Sequence, residues 1–400
     1  MIKILQYLIL LSFITLGLLK AEVGYNGSAE LDLFYRSNQD LDDKSQKFNG
    51  AFLQEIAIIL NVFGNHAVES DFFKAWKWKL AQKVATDYKF DSFGKREAWI
   101  GTNTAIGEFR YGNQFSNYYL LQDWPYGTAG AGNTWAEYGV HSIWYAQGIS
   151  YFSPVIEGFN INFQYNNGGY RPYKKTTTMK PITEWKQIET TGGETIFVNT
   201  LVDIKEIPVV QQKSYSYASE ITAGYTLGII RLDVAAYLAQ NASSNDFLPD
   251  TFEGFNDAKN RVQSYYASTI LNLDPFELKL GYSYNKHIID SVNYTNLHKI
   301  LLQGKYTIND KNNVILGYQF MPNTLAKIDG ETIYAKNALH MVNFQYNHTL
   351  DGGVSLFLQV RQSITPFKTP NKIQAGYMID GKHPEAHSST RVLVGAWMGF

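Results

Sequence analysis

Residues 276–285, which read FELKLGYSYN, alternate apolar and polar side chains at every step. The same alternation occurs in FNINFQYN at 159–166 and in VNFQYN at 342–347. Because successive side chains of a β-strand point to opposite faces, this pattern predicts a sheet with one apolar face and one polar face. After residue 21 we find no apolar stripe at the helical spacing i, i+3, i+4, i+7. The sequence therefore predicts an all-β protein.

The periodicity predicts sixteen strands, and the connections between them indicate how they are arranged. The predicted strands span 28–36, 52–63, 74–84, 96–102, 107–113, 148–153, 158–166, 214–226, 229–240, 261–273, 276–285, 297–308, 312–320, 338–348, 354–362 and 389–400. Tight connections rich in Gly, Pro, Asn and Asp alternate with long ones, such as 114–147 and 167–213. Short turns at one rim and long loops at the other are typical of a transmembrane antiparallel β-barrel. Closure leaves no unpaired strand edge in lipid, which is the reason for a barrel.

The composition fits such a barrel and excludes several other classes. The 400 residues are 15% aromatic and only 18% charged, with no cysteine and a net charge of −1. Cysteine chemistry is therefore excluded, and the charge balance argues against a nucleic-acid partner. Aromatic residues near the strand ends fit the two girdles at the membrane interfaces. The girdle candidates are Tyr35, Trp76, Trp78, Tyr165, Tyr225, Tyr284, Tyr306, Tyr318 and Tyr346.

The N-terminus predicts export. Lys3 precedes an apolar run over 4–19, and a small residue, Ala21, ends it. This is the pattern of a secretory signal peptide, so we expect a cleaved segment over 1–21 and a barrel over 22–400. An uncleaved membrane anchor is the alternative. No later segment reaches about 18 consecutive apolar residues, the length of a transmembrane helix. The predicted location is the bacterial outer membrane.

Several segments resemble the Gram-negative general porins, which are sixteen-stranded trimeric diffusion channels. The similarity is most specific over 96–101, 107–114 and 148–154, and in the final strand ending at Phe400. The resemblance implies a homotrimer in outer-membrane lipid and lipopolysaccharide. It also implies recognition of the C-terminal strand, with its Phe400 signal, by the barrel-assembly machinery. In this family the long third loop folds into the lumen, and the matching segment is about 113–147.

The resemblance also implies a pore constriction, in which acids of the third loop face arginines of the wall. Arg96 matches one of those arginines by its place in the strand, and Arg110 would add to the same wall. Asp123 and Glu137 are the only acids of the loop and are the candidate counter-charges. The wall and loop depart from the family pattern elsewhere. The sequence has Gln54 and Glu55 where an arginine is common, and a Gly-rich segment replaces an acidic turn.

Alternation also predicts which charged residues line the lumen. The basic residues of this set are Lys77, Lys79, Lys83, Arg96, Arg110, Arg231, Lys279, Lys305, Arg361 and Arg391. The acids are Glu30, Asp32, Glu55, Glu108, Asp233 and Glu277. Because bases outnumber acids, we expect a channel for ions and small hydrophilic solutes that leans towards anions. The alternative is that many of these charges pair and add nothing net.

Three other functions stay open from the sequence. A substrate-specific channel for a sugar or for an organic or inorganic anion is favoured by aromatic residues of the third loop, namely Tyr118, Tyr119, Trp124, Tyr126 and Trp135. An outer-membrane enzyme would need a Ser/His/Asp set or an acid pair at the rim, and we find no such set. A structural or adhesive barrel would need a plugged lumen. The eight histidines show no metal-ligand spacing, so we expect neither a metal nor a cofactor.

Overall fold

The computed structural model describes the barrel wall and the first part of the third loop. The described residues are 22–42, 47–85, 96–123, 145–189, 195–240, 261–288, 294–322, 325–328, 331–334, 338–365 and 387–400. The predicted signal peptide, 1–21, lies outside them and stays a prediction. Glu137 and most of the segment over 113–147 also lie outside.

The described residues form eighteen strands and one short helix. The strands are β1 Glu22–Asp42, β2 Lys47–Ala67, β3 Phe73–Ala85, β4 Glu97–Thr104, β5 Gly107–Phe115, β6 Tyr145–Phe152, β7 Phe159–Glu189, β8 Thr195–Leu227, β9 Ile230–Gln240, β10 Arg261–Leu273, β11 Phe276–Ile288, β12 Tyr294–Asn309, β13 Asn312–Met321, β14 Leu325–Ile328, β15 Glu331–Tyr334, β16 Leu339–Thr349, β17 Val354–Thr365 and β18 His387–Gly399. The helix, α1, spans Asn117–Asp123 and has seven residues. Among the described residues, no helix is long and apolar enough to cross a membrane.

Sixteen of the strands, β1–β13 and β16–β18, close into an antiparallel barrel. Each pairs with its neighbours in the chain, and β18 pairs with β1 to complete the ring. Gly27 and Phe400 seal this seam, each donating its backbone N–H to the other's carbonyl oxygen at 2.8 and 3.0 Å. Every strand edge of the wall is therefore paired, as lipid requires. The prediction of a sixteen-stranded transmembrane barrel is confirmed.

The two faces of the wall follow the alternation in the sequence. On β11, Leu278, Leu280 and Tyr282 are 40–52% exposed on the outer face. Ser283 and Asn285, on the inner face of the same strand, are each 1% exposed. The outer face thus offers apolar side chains to lipid and the inner face offers polar ones to the lumen. All nine predicted girdle aromatics have the outward parity of their strands.

Tight turns join the strands at one rim, where the sequence predicts them. Two-residue connections link β4 to β5, β8 to β9, β10 to β11 and β12 to β13. The turn from β8 to β9 places Gly228 at a φ of 56°, and the turn from β16 to β17 places Gly352 at 94°. Such positive φ angles favour glycine because it has no Cβ. The short-turn rim therefore follows directly from local turn chemistry.

Two predicted loops contain regular structure. The segment over 167–213 is the outer part of a long hairpin, because β7 runs to Glu189 and β8 starts at Thr195. A ribbon that leaves the barrel wall has no lipid-facing side, so its sequence need not alternate in hydropathy. Likewise, β14 and β15 form a small hairpin within the predicted loop 321–337, and β14 pairs with β12. Periodicity alone misses such polar strands.

Candidate functional site: the lumen and its lining

The third loop enters the barrel directly after β5. Ser116 begins α1 as its N-cap, since its Oγ accepts a hydrogen bond from the Tyr119 N–H at 3.1 Å. Its carbonyl oxygen accepts the Leu120 N–H at 3.0 Å. Periodicity does not predict this helix, because seven residues are too few for an apolar stripe. The Ser116 cap is the signal that could have located its start.

A carboxylate on β8, three strands along the wall from β5, holds the start of this helix. Glu220, on the inner face of β8, accepts hydrogen bonds from the Ser116 Oγ at 2.8 Å and from the Tyr118 N–H at 2.7 Å. Both atoms belong to the turn that carries the loop inwards. Glu220 is 4% exposed, so these bonds are shielded from water. The structure thus fixes the first part of the loop against the wall.

Aromatic packing supports the same contact. Tyr118 is fully buried, with its ring centroid 5.7 Å from that of Tyr237 on β9 and 6.4 Å from that of Tyr266 on β10. Leu301 of β12 belongs to the same buried cluster. Burial raises the pKa of the Tyr118 hydroxyl above its usual range, so this side chain stays neutral. The described part of the third loop therefore lies inside the barrel on the β8–β12 side.

On the β3–β5 wall, basic and acidic residues are bound to each other. Lys77 lies 3.1 Å from the Glu108 carboxylate, and Arg110 pairs with the same carboxylate. Lys79 lies 2.5 Å from Glu97. All three bases have the inward parity of their strands. Their charges are largely offset by the two acids, which leaves one excess positive charge in this patch.

Aromatic rings hold Arg110 in place. Its guanidinium carbon lies 4.3 Å from the ring centroid of Trp99 and 4.4 Å from that of Phe152. Cation–π contacts of this kind favour a fixed guanidinium over a mobile one. Trp99 also donates its Nε1–H to Glu97 at 3.2 Å, which links the two ion pairs into one patch. We call this set the paired wall: Lys77, Lys79, Glu97, Trp99, Glu108, Arg110 and Phe152.

Two further predicted lumen bases are also paired. Arg231 lies 2.9 Å from Asp233 on β9, and Lys279 lies 2.9 Å from Glu277 on β11. Lys305 has the inward parity of β12. The alternative weighed from the sequence, that lumen charges pair, therefore holds for Lys77, Lys79, Arg110, Arg231 and Lys279. A count of lumen bases overstates the positive charge of these strands.

The structure describes some of the proposed constriction residues in full and others only in part or not at all. Arg96 lies directly before β4, which begins at Glu97, and it is partly buried. Its guanidinium carbon lies 5.2 Å from the Phe115 ring centroid. Asp123 is the last residue of α1, but its side chain is outside the described part. Their roles, with those of Arg110 and Glu137, stay predictions.

A different wall carries arginines in a cross-strand row. Arg361 of β17 pairs in register with Arg391 of β18, and Arg391 pairs with Arg36 of β1. Asn343 of β16 occupies the next position of the row beside Arg361. Arg361 and Arg391 are 2% and 6% exposed on the inner face. We call these four positions the arginine row. Strand periodicity indicated the inward side chains, but only the register shows that they are neighbours.

The closed barrel, with its apolar outer belt and charged lumen, defines the class of a water-filled outer-membrane channel. Residues 17–365 match the model of the Gram-negative porin family. The chain belongs to this family and is an outer-membrane diffusion channel. Among curated proteins, none matches the sequence.

Solved porin structures share this fold at low sequence identity. The anion-selective porin from Comamonas acidovorans is 14% identical with a TM-score of 0.60, covering 95% of this chain and 100% of that one. The trimer form of OmpT, an outer-membrane protein of Vibrio cholerae, is 13% identical with a TM-score of 0.61 and the same coverage. OmpF of Salmonella typhi, in complex with daunomycin, is 12% identical with a TM-score of 0.54, covering 94% and 97%. These similarities concern the fold.

Proposed function

We propose that ions and small hydrophilic solutes diffuse passively through this lumen with a lean towards anions. The observation that carries the lean is the arginine row, in which the inward-facing Arg361 and Arg391 occupy directly opposed positions on β17 and β18. Like charges at directly opposed positions repel each other, so the row favours anions near it. The similarly folded porin from Comamonas acidovorans is described as anion-selective, which agrees with this proposal.

The narrowest part is proposed to lie at the third loop, over about 113–147. Glu220 and the buried Tyr118 support this location, because they hold the start of the loop inside the barrel. In this proposal Arg110 and Arg96 supply positive charge on the wall side of the constriction, and Asp123 and Glu137 supply negative charge on the loop side. Because Arg110 is already paired with Glu108, its contribution to the field is smaller than its charge suggests.

The assembly proposed here is a homotrimer in outer-membrane lipid and lipopolysaccharide. The trimer form of OmpT shares the fold, which supports the homotrimer. We further propose that a signal peptide over 1–21 is cleaved after export. The seam at Phe400 supports the proposal that the barrel-assembly machinery reads the final strand, since this residue is 52% exposed on the barrel surface.

Conductance in a planar bilayer tests the proposed function most directly. Purified protein should give stepwise openings whose size scales with the bulk KCl concentration, as expected for diffusion. In a KCl gradient, the reversal potential should show a higher permeability for chloride than for potassium. If the protein produced no current in the bilayer, the diffusion-channel proposal would be rejected. A preference for potassium over chloride would reject only the proposed anion preference. Because the proposal excludes an enzyme, turnover of a peptide or lipid ester by protein with an intact barrel would overturn that part.

A further inference from the structure

The wall formed by β13, β16, β17 and β18 carries a chain of ordered amides beside the arginine row. Gln359 accepts a hydrogen bond from the Arg391 guanidinium and donates its own Nε2–H to Gln345 at 2.7 Å. Gln345 donates onwards to Asn347 at 2.6 Å, and Asn347 donates to Asn313 at 2.8 Å. Every amide of this chain has a fixed direction, so it presents defined donors and acceptors rather than a rotating group.

Two further side-chain amides of the same wall lack hydrogen-bond partners among the described residues. Gln319 of β13 and Asn343 of β16 are both 0% exposed. Among the residues that the structure describes, neither the oxygen nor the nitrogen of either side chain has a hydrogen-bond partner. Gly317 opposes Asn343 in the register, so Gln319 lies only two positions along the neighbouring strand. Buried amides without partners are unfavourable, which marks these two as groups that a bound molecule can satisfy.

The register places these amides next to cationic groups. Asn343 is directly opposite Arg361, which is directly opposite Arg391. Neighbouring strands lie about 4.8 Å apart, so Gln319 on β13 and Arg391 on β18 are separated by roughly 14 Å of wall. The wall therefore offers guanidinium groups for an oxyanion at one end and amide donors and acceptors at the other.

We propose that this wall binds small carboxylates that also carry hydroxyl groups, as sugar acids do. The carboxylate binds at Arg361 and Arg391, while the hydroxyls donate to and accept from the amides of Gln319 and Asn343. A simple anion satisfies only the arginines, and a neutral polyol satisfies only the amides. This inference rests on the proposed diffusion function, and it makes the channel selective among organic anions rather than merely leaning towards them.

Three matched probes test the site in the conducting full-length protein. Gluconate has both the carboxylate and the hydroxyls, acetate has only the carboxylate, and sorbitol has only the hydroxyls. We expect gluconate to reduce the KCl current at a half-blocking concentration about tenfold lower than acetate or sorbitol, as two added hydrogen bonds allow. Equal block by gluconate and acetate, or no block by any probe, overturns the inference. Absence of current in KCl would reject the diffusion function itself.

Variants separate the two halves of the site. N343L removes an amide but no charge, so it should bring the half-blocking concentration of gluconate close to that of acetate. R361Q should weaken the block by both acids. K279Q is the matched control, because Lys279 is an inward base bound to Glu277 on β11 and should leave the probe ranking unchanged. If N343L leaves the gluconate advantage intact, the amides do not bind the solute and the inference is wrong.

Discussion

The paired wall and the arginine row lie on the same inner surface but place their charges differently. In the paired wall, Lys77 and Arg110 share the single Glu108 carboxylate, so one of their two positive charges is offset where it stands. On β17 and β18, Arg361 and Arg391 occupy directly opposed positions of adjacent strands. Inward parity alone therefore does not determine the electric field inside a pore. The cross-strand register also matters, because it determines which charges become neighbours.

Releasing the third loop should give the largest effect, since this loop is proposed to narrow the lumen that both walls face. E220A leaves the Ser116 Oγ and the Tyr118 N–H without their acceptor, a loss of about 1–3 kcal/mol for the loop contact. We expect single-channel conductance to rise about twofold as the constriction widens. E220Q keeps an acceptor oxygen and serves as the control. Unchanged conductance of E220A would show that Glu220 does not hold the constriction.

Removing one acid should raise the positive charge of the paired wall. E108Q takes away the carboxylate that Lys77 and Arg110 share, which leaves two uncompensated cations on that wall. The chloride-to-potassium permeability ratio should rise by about twofold, and the rise should shrink in high salt because screening shortens the reach of these charges. Reversal potentials at two ionic strengths measure both effects. A shift towards potassium would contradict the assigned pairing.

Neutralising both members of one pair should change selectivity less than neutralising either one alone. E97Q exposes the Lys79 charge, K79Q exposes the Glu97 charge, and the two shifts in reversal potential should have opposite signs. The double variant removes no net charge, so its reversal potential should match that of the wild type. Double-mutant comparisons isolate the pair in this way. A double variant whose reversal potential clearly differs from that of the wild type would contradict the local pairing of Lys79 with Glu97.

The smallest effect is expected at the short-turn rim. Lys311 lies 2.6 Å from Asp351, but their side chains are 52% and 91% exposed. Exposed pairs contribute about 0–1 kcal/mol, since water screens them. K311Q should therefore leave both the reversal potential and the unfolding temperature of the barrel, followed by gel mobility after heating, within experimental scatter. A clear loss of stability would place this pair in a less screened environment.

The wall was accessible to sequence reasoning, whereas the contacts inside it were not. Alternation predicted β10 over 261–273 with the bounds that the structure has, because one face meets lipid and the other meets water. It missed the outer part of β7 and β8, where the ribbon has no lipid-facing side. It also could not find Glu220, since nothing in the local sequence reveals that a residue of β8 contacts Ser116, which is 104 residues earlier in the chain. Contacts between distant strands depend on the register of strand pairing, and the periodicity of a single strand does not determine that register.

The Gly27–Phe400 seam sets an order for the assembly of the barrel. Neighbouring strands of the chain can pair as hairpins early, because little loop entropy is lost in joining them. The seam joins the first strand to the last, so its hydrogen bonds bridge almost the whole sequence. Until Phe400 arrives, β1 presents an open edge that other chains could pair with. Closing this seam therefore costs more loop entropy than pairing any two neighbouring strands.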